Sequence, residues 1–214
     1  GSFSNRGGLF ASSSAFTFDG SSGLINAGTG SSIDDIFDGG GTIEGWVNLD
    51  SYGESSGRLV SKDAYFIYFH ALGQIRLQYS FNGGAYIGEW YTENGSFAYD
   101  SKWHHVAVTY DNSSDANDPS IYLDGKLMPL GTIVRPTGTR ASDVGDVLYV
   151  GNNPTDIRTL DGSLAMLRMF GDTRTAAEIR TDMFNQKSDM DDAGALVLMY
   201  QFDEGQGTTV TDVS

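Results

Sequence analysis

The chain has 214 residues, 28 of them Asp or Glu against 13 Lys or Arg, for a formal net charge of −15. That charge repels phosphate backbones and anionic lipid, which excludes nucleic acid and membrane insertion, and no apolar run reaches the length of a bilayer span. There is no cysteine, so disulfides and thiolate-bound metals are excluded; the core must rest on burial, and a chain of this size removes roughly 70% of its unfolded surface from water.

In chain order, Gly1-Ser2 reads as an expression scar and residues 1–12 as a flexible lead-in, leaving a single domain over 13–214. Short apolar and aromatic runs then recur, each bounded by Gly, Asn, Asp or Ser, the pattern of antiparallel strands. The first covers 13–18 and ends at Asp19-Gly20; the next, 42–48, alternates Ile43, Gly45 and Val47 with Thr42, Glu44 and Trp46. Strands follow over 58–62, 65–70 and 74–80. Asn82-Gly83-Gly84 supplies the positive φ of a tight hairpin before a returning strand at 85–91. Further strands cover 103–110, with Val106 and Val108 on one face, then 120–123, 126–133, 147–151, 163–170 and 196–202, with a short one at 208–211. One helix stands out: Thr175 and Glu178 form a capping box, Ile179 and Met183 share a face, and the helix is expected to end near Gln186. Residues 187–194 form a polar, Asp-rich loop. One short helix among many strands predicts an all-β fold, a two-sheet antiparallel β-sandwich with a helix near the C-terminus.

Several of these segments resemble laminin-G-like modules of the concanavalin A-like lectin/glucanase jelly-roll family. The opening Ser14-Ala15-Phe16-Thr17-Phe18-Asp19-Gly20, then Thr42-Ile43-Glu44-Gly45-Trp46-Val47 and Leu59-Val60-Ser61-Lys62, stand in the family's order. The most specific match is 103–111, Trp-His-His-Val-Ala-Val-Thr-Tyr-Asp, followed by the turn Ile121-Tyr122-Leu123-Asp124-Gly125. Leu160-Asp161-Gly162-Ser163-Leu164 and the Thr175 helix cap match its closing elements, and 198–209 resembles a segment that flanks such modules. The chain departs from the pattern at Ala165 and Met166, where the family often carries Asp-Glu, so no role of that acidic pair is carried over. The resemblance implies a jelly roll with a concave face and rim loops, a lectin-like or adhesion role, and frequent use of calcium.

Trp46 and Trp103 lie within these motifs and read as core. Trp90 belongs to no such motif, so it reads either as cover for a sheet edge or as a flat platform on which a sugar ring stacks. Tyr91, Glu89, Tyr86, Tyr52 and Asn94 are the groups expected to complete a ligand site with it. His104 and His105 point to opposite faces of one strand and read as structural, as does His70. Arg135 and Arg140, rare cations in acidic loops, read as locally paired. Asp beside Gly makes turns and also offers carboxylates to calcium, and a jelly roll brings its first and last strands together. Asp19, Asp161, Asp203 and Asp212 are therefore the expected calcium ligands, or else plain turn and loop residues. No alternating pair of catalytic carboxylates, nucleophile elbow or phosphate loop is present. The expectation is a non-catalytic recognition module for a glycan or a cell-surface protein, extracellular or cell-surface in a bacterium, or on a phage particle. The alternatives are a structural spacer or decoration domain and, third, a polysaccharide-active enzyme.

Overall fold

The computed structural model describes residues 1–5, 14–54, 56–186, 190 and 195–214. Most of the expected lead-in and of the acidic loop over 187–194 lies outside the described residues. The strands are β1 (Ser2–Asn5), β2 (Ser14–Asp19), β3 (Ile25–Asn26), β4 (Gly41–Leu49), β5 (Ser56–Ser61), β6 (Tyr65–His70), β7 (Gln74–Phe81) and β8 (Tyr86–Thr92). They continue with β9 (His104–Tyr110), β10 (Ser120–Leu123), β11 (Lys126–Leu127), β12 (Leu130–Val134), β13 (Tyr149–Val150), β14 (Asp161–Phe170) and β15 (Leu196–Tyr200), with helix α1 at Ala176–Asp182. The chain is thus all-β with one short helix, as its sequence pattern predicts.

Two antiparallel sheets carry the fold. One has the order β1-β2-β14-β4-β9-β10-β11, with β15 also paired to β14; the other has the order β12-β8-β7-β6-β5-β13-β3. At the start of the expected lead-in, β1 pairs with β2 in antiparallel register. Residues 208–211 form no strand; a bridge between Tyr200 and Asp212 joins the residues just after them to the sheet.

The core lies between the sheets. Ile43, Val47, Val106, Val108 and Leu164 from the first sheet meet Leu59, Ile67, Phe69, Leu77 and Trp90 from the second. Each such side chain contributes roughly 1.5–3 kcal/mol on burial. A bulge in β14 preserves this division. Register passes from Ala165↔Trp46 to Arg168↔Glu44, so Met166 and Leu167 share one partner, Gly45, and Met166 takes φ 50°. The extra residue shifts the alternation. Leu167 and Met169 join Leu164 in the core, and Arg168, which strict alternation would aim inward, turns to the outer face.

That outer face is roofed. Trp46, Ala165, Met166, Phe170 and Met199 pack there with Met190 and Leu196, while Ile179 of α1 seats on Ala107 and Tyr122. Every residue of β4 is therefore buried. The capping box forms as predicted, Thr175 Oγ1 accepting from the Glu178 amide and Glu178 from the Thr175 amide. The helix ends at Asp182, short of the expected 186. Arg168 Nη1 donates to the carbonyls of Asp182 (2.8 Å) and Asn185 (3.2 Å), and so takes an acceptor that another helical turn would use.

Candidate functional site

The hairpin register decides where the predicted site residues point. Phe81 pairs with Tyr86 across the turn, so Leu77 pairs with Trp90 and both face the core. Trp90 is 0% exposed, stacks obliquely on Tyr110 at 5.1 Å, and donates from Nε1 to Asp118 at 2.9 Å. Gly88 lacks the Cβ that would collide with the indole, which lets the ring lie over its own strand. Trp90 therefore has no face to offer a sugar: of its two sequence readings, platform is wrong and burial is right, inside the core rather than at an edge.

Its neighbours divide. Glu89 and Tyr91 point outward from β8 and are half-buried. Tyr86 is exposed at the opposite end of the strand. Tyr52 sits on a rim loop, donating to the Phe97 carbonyl at 2.9 Å with its ring edge-on to Tyr99, and exposed Asn94 lies in the adjacent turn. The six residues thus do not form one site.

Glu89 and Tyr91 belong to a larger constellation on the outer face of the seven-stranded sheet. Opposed residues of antiparallel strands share a face. One row runs Arg58, Tyr68, Arg76, Tyr91 and Thr132 across β5, β6, β7, β8 and β12; the next runs Ser61, Phe66, Gln78, Glu89 and Val134. The guanidinium of Arg58 lies 3.8 Å from the Phe66 ring centre and 4.6 Å from that of Tyr68. That of Arg76 lies 3.9 Å from Tyr91 and 5.7 Å from Tyr68. Rings and guanidinium groups therefore alternate across four strands, held by cation–π attraction. Gln74 Oε1 accepts from Arg76 Nε at 2.8 Å, and Glu89 accepts from both Gln78 and the Tyr91 hydroxyl. Burial, then the bond to Glu89, pushes the Tyr91 hydroxyl well above its ordinary range, so it stays a donor at neutral pH.

Where β5 and β6 meet the segment leading into and out of β13, this face deepens into a groove of about 490 Å³ bordered by Arg58, Ser61, Phe66, Tyr149, Asn153 and Pro154, with Asp63 and Asp146 also on its walls. Sequence reading missed Arg58, Phe66, Tyr68, Arg76 and Gln78. The signal existed in β7, where Gln74, Arg76 and Gln78 alternate with Ile75, Leu77 and Tyr79.

The calcium expectation fares differently. Asp19 and Asp161 do come together as register partners. Asp19 Oδ1, however, accepts from the amides of Ser21 and Ser22, which hold its carboxyl down at about 2, and Asp161 accepts from Ser51 Oγ at 2.6 Å. Asp212 accepts from the Met199 amide, opposite Arg168; with the bulge counted as one step, Arg168 and Asp161 are about 20 Å apart along β14 at ~3.3 Å per step. Asp203 is exposed in the segment after β15. The four carboxylates do not converge, and no cluster of three or more metal-ligating side chains occurs among the described residues, so these residues do not fit a shared calcium ion. The acidic rim loops are filled from within: Lys62 bonds Asp143 (2.6 Å) and Asp34 (2.9 Å), Arg140 pairs with Asp35 (2.8 Å) and Asp38 (2.6 Å), and Arg135 with Asp118.

Comparison with known proteins agrees with the fold. The family described as Concanavalin A-like lectin/glucanases superfamily matches residues 19–180. A search of curated proteins returns no match. Among solved structures, a candidate carbohydrate binding protein from Bacteroides ovatus ATCC 8483 superposes with a TM-score of 0.63 at 16% identity, covering 93% of this chain and 55% of that one. The chain thus spans about half the length of that protein. Domain 4 of AbnA, a GH43 extracellular arabinanase from Geobacillus stearothermophilus, in complex with arabinotriose, gives 0.58 at 14% identity, with coverages of 86% and 80%. The CBM40 of Ruminococcus gnavus IT-sialidase, bound to α2,3-sialyllactose, gives 0.57 at 13%, with coverages of 79% and 96%.

Proposed function

The chain belongs to the Concanavalin A-like lectin/glucanases superfamily, and from that premise we propose that it is a non-catalytic carbohydrate-recognition module whose binding surface is the outer face of the seven-stranded sheet. The observation that carries this reading is the ladder in which partly exposed Phe66, Arg76 and Tyr91 lie over buried Arg58 and Tyr68, continuous with the groove at its β5 end. Aromatic rings give the apolar faces of a pyranose a flat partner, and the amide of Gln78, the hydroxyl of Tyr91 and the carboxylate of Glu89, all partly exposed, supply polar groups for its hydroxyls. The superposable CBM40 from R. gnavus, bound to sialyllactose, and domain 4 of the G. stearothermophilus arabinanase, in complex with arabinotriose, support the same reading.

Binding is favoured over hydrolysis by the acids present. Among the described residues of β5–β8, Glu89 is the one carboxylate on this face, and both its oxygens accept hydrogen bonds from within the chain. Glycoside hydrolysis needs a second acid about 5–5.5 Å or more away across the bond to be cut. We place the module in a secreted or surface-displayed bacterial protein or on a phage particle, where glycans are met.

A glycan array probed with the wild-type chain and with Tyr91→Ala, in millimolar calcium and again with chelator, tests this. The expected result is binding in both buffers, weakened roughly tenfold or more by Tyr91→Ala, the loss of one aromatic anchor. Wild-type protein that binds no glycan, or a Tyr91→Ala variant that binds as well as wild type, contradicts it.

A further inference from the structure

The groove at the β5 end of the ladder carries a specificity of its own. Arg58 is 9% exposed, and its Nε and Nη1 are buried without any hydrogen-bond partner. No carboxylate lies within ion-pair distance of it among the described residues. This is not for want of acid in a chain with 28 Asp and Glu residues. The other buried arginines are answered: Arg168 Nη2 meets Glu44 Oε1 at 2.6 Å, and Arg174 pairs with Asp182. A buried guanidinium left without an acceptor is destabilising, so a partner from outside the chain is the natural reason for its retention.

The surroundings define that partner. Phe66 and Tyr68 lie against the guanidinium, at 3.8 and 4.6 Å from their ring centres, so its N–H groups rather than its faces are left for a partner to meet. An edge-on approach to a planar fork suits a planar carboxylate. Burial, opposed by Tyr68 and aided by nearby Arg158, lowers the Arg58 pKa to about 10, so the group stays charged at neutral pH and an arriving anion would offset its desolvation. The space beside Arg58 is that of a sugar unit or two rather than a lone ion. Ser61, Asn153 and half-buried Asp146 are placed to bond sugar hydroxyls, while Asp63 is solvent-exposed and screened.

We propose that this groove selects an acidic sugar, with Arg58 receiving the carboxylate of a uronic-acid-type residue while the neighbouring units of the chain run over Phe66, Arg76 and Tyr91. The proposal rests on the glycan-binding reading of the same face.

Calorimetric titration with galacturonate, glucuronate and mannuronate trisaccharides, each paired with its methyl ester, tests it without any mutation. At least one acid should bind roughly tenfold or more tightly than its ester, the strength expected of a charge-assisted hydrogen bond. In Arg58→Gln that acid-over-ester ratio should fall to about one, and Arg58→Lys should retain part of it. Equal affinity for acid and ester in every pair, or no binding of any of them, overturns the proposal. Neutral oligosaccharides measured alongside separate the two failures: if they still bind, only the acidic specificity is lost, and if they do not, the glycan-binding reading falls with it.

Discussion

The outer faces of the two sheets are built from the same kinds of residue and come to opposite ends. On the eight-stranded sheet, Arg168, Glu44, His105 and Trp46 lie beneath α1 and the segment after it, and the guanidinium finds a carboxylate and two main-chain carbonyls of its own chain. On the seven-stranded sheet, Arg58 and Arg76 lie among Phe66, Tyr68 and Tyr91, with no helix over them and no carboxylate partner among the described residues. The first face has spent its polar groups on internal structure. On the second, Arg76, Gln78, Glu89 and Tyr91 are also bonded within the chain but stay partly exposed, and Nε and Nη1 of Arg58 have no hydrogen-bond partner. Arginine and aromatic residues therefore say little by themselves; what covers them and what they are paired with separates scaffold from binding surface.

The largest effect should come from breaking the roofed face. Arg168→Ala leaves Glu44 buried without its partner and should cost about 3–5 kcal/mol. The matching truncation on the other face, Arg76→Ala, removes a partly exposed cation–π contact and the donor to buried Gln74 Oε1, and should cost about 1–2 kcal/mol. Urea unfolding midpoints of the two variants measure the contrast directly, and similar losses would erase it.

Acid should act on the roofed face next. Burial pushes His105 down to about 3, against about 6.5 in the unfolded chain, so the unfolded state takes up a proton that the folded state refuses. Stability tied to His105 is then present above pH 6.5 and is lost as pH falls toward 3, amounting to roughly 2 kcal/mol by pH 5 at ~1.4 kcal/mol per unit. Burial moves Glu44 the other way, up, so its contribution has the opposite sign and is lost as pH rises. His105→Leu should flatten the loss between pH 6.5 and 5 in denaturation followed by fluorescence; an unchanged slope would show that His105 is not its source.

The smallest effect separates the faces by function. Thr175→Ala removes the helix cap and should cost about 1 kcal/mol. Because α1 roofs the opposite sheet, glycan affinity should stay within about twofold of wild type, as titration of both proteins with the same ligand would show.

Much of the fold was legible because it is local. The alternation in β4 and β9, the turn at Asn82-Gly83 and the Thr175–Glu178 cap are each written in a few neighbouring residues. The site was legible only in part. In β6 every position from Tyr65 to Phe69 is aromatic or apolar, so the outward set of Phe66 and Tyr68 leaves no period-two signal. The burial of Trp90 was within reach: the hairpin turn fixes Phe81 opposite Tyr86, and counting back sets Trp90 opposite Leu77. The separation of Asp212 from Asp19 and Asp161 was not, because it depends on β2 and β15 occupying different stretches of the same edge of β14.

The most direct test of the central claim is to follow backbone amide resonances while titrating the tightest glycan from the array. The account predicts shifts concentrated at Arg58, Phe66, Tyr68, Arg76, Glu89 and Tyr91, with α1 and β4 unmoved. Shifts confined to the rim turns around Asp19, Asp161 and Asn94, with the sheet face silent, would contradict it.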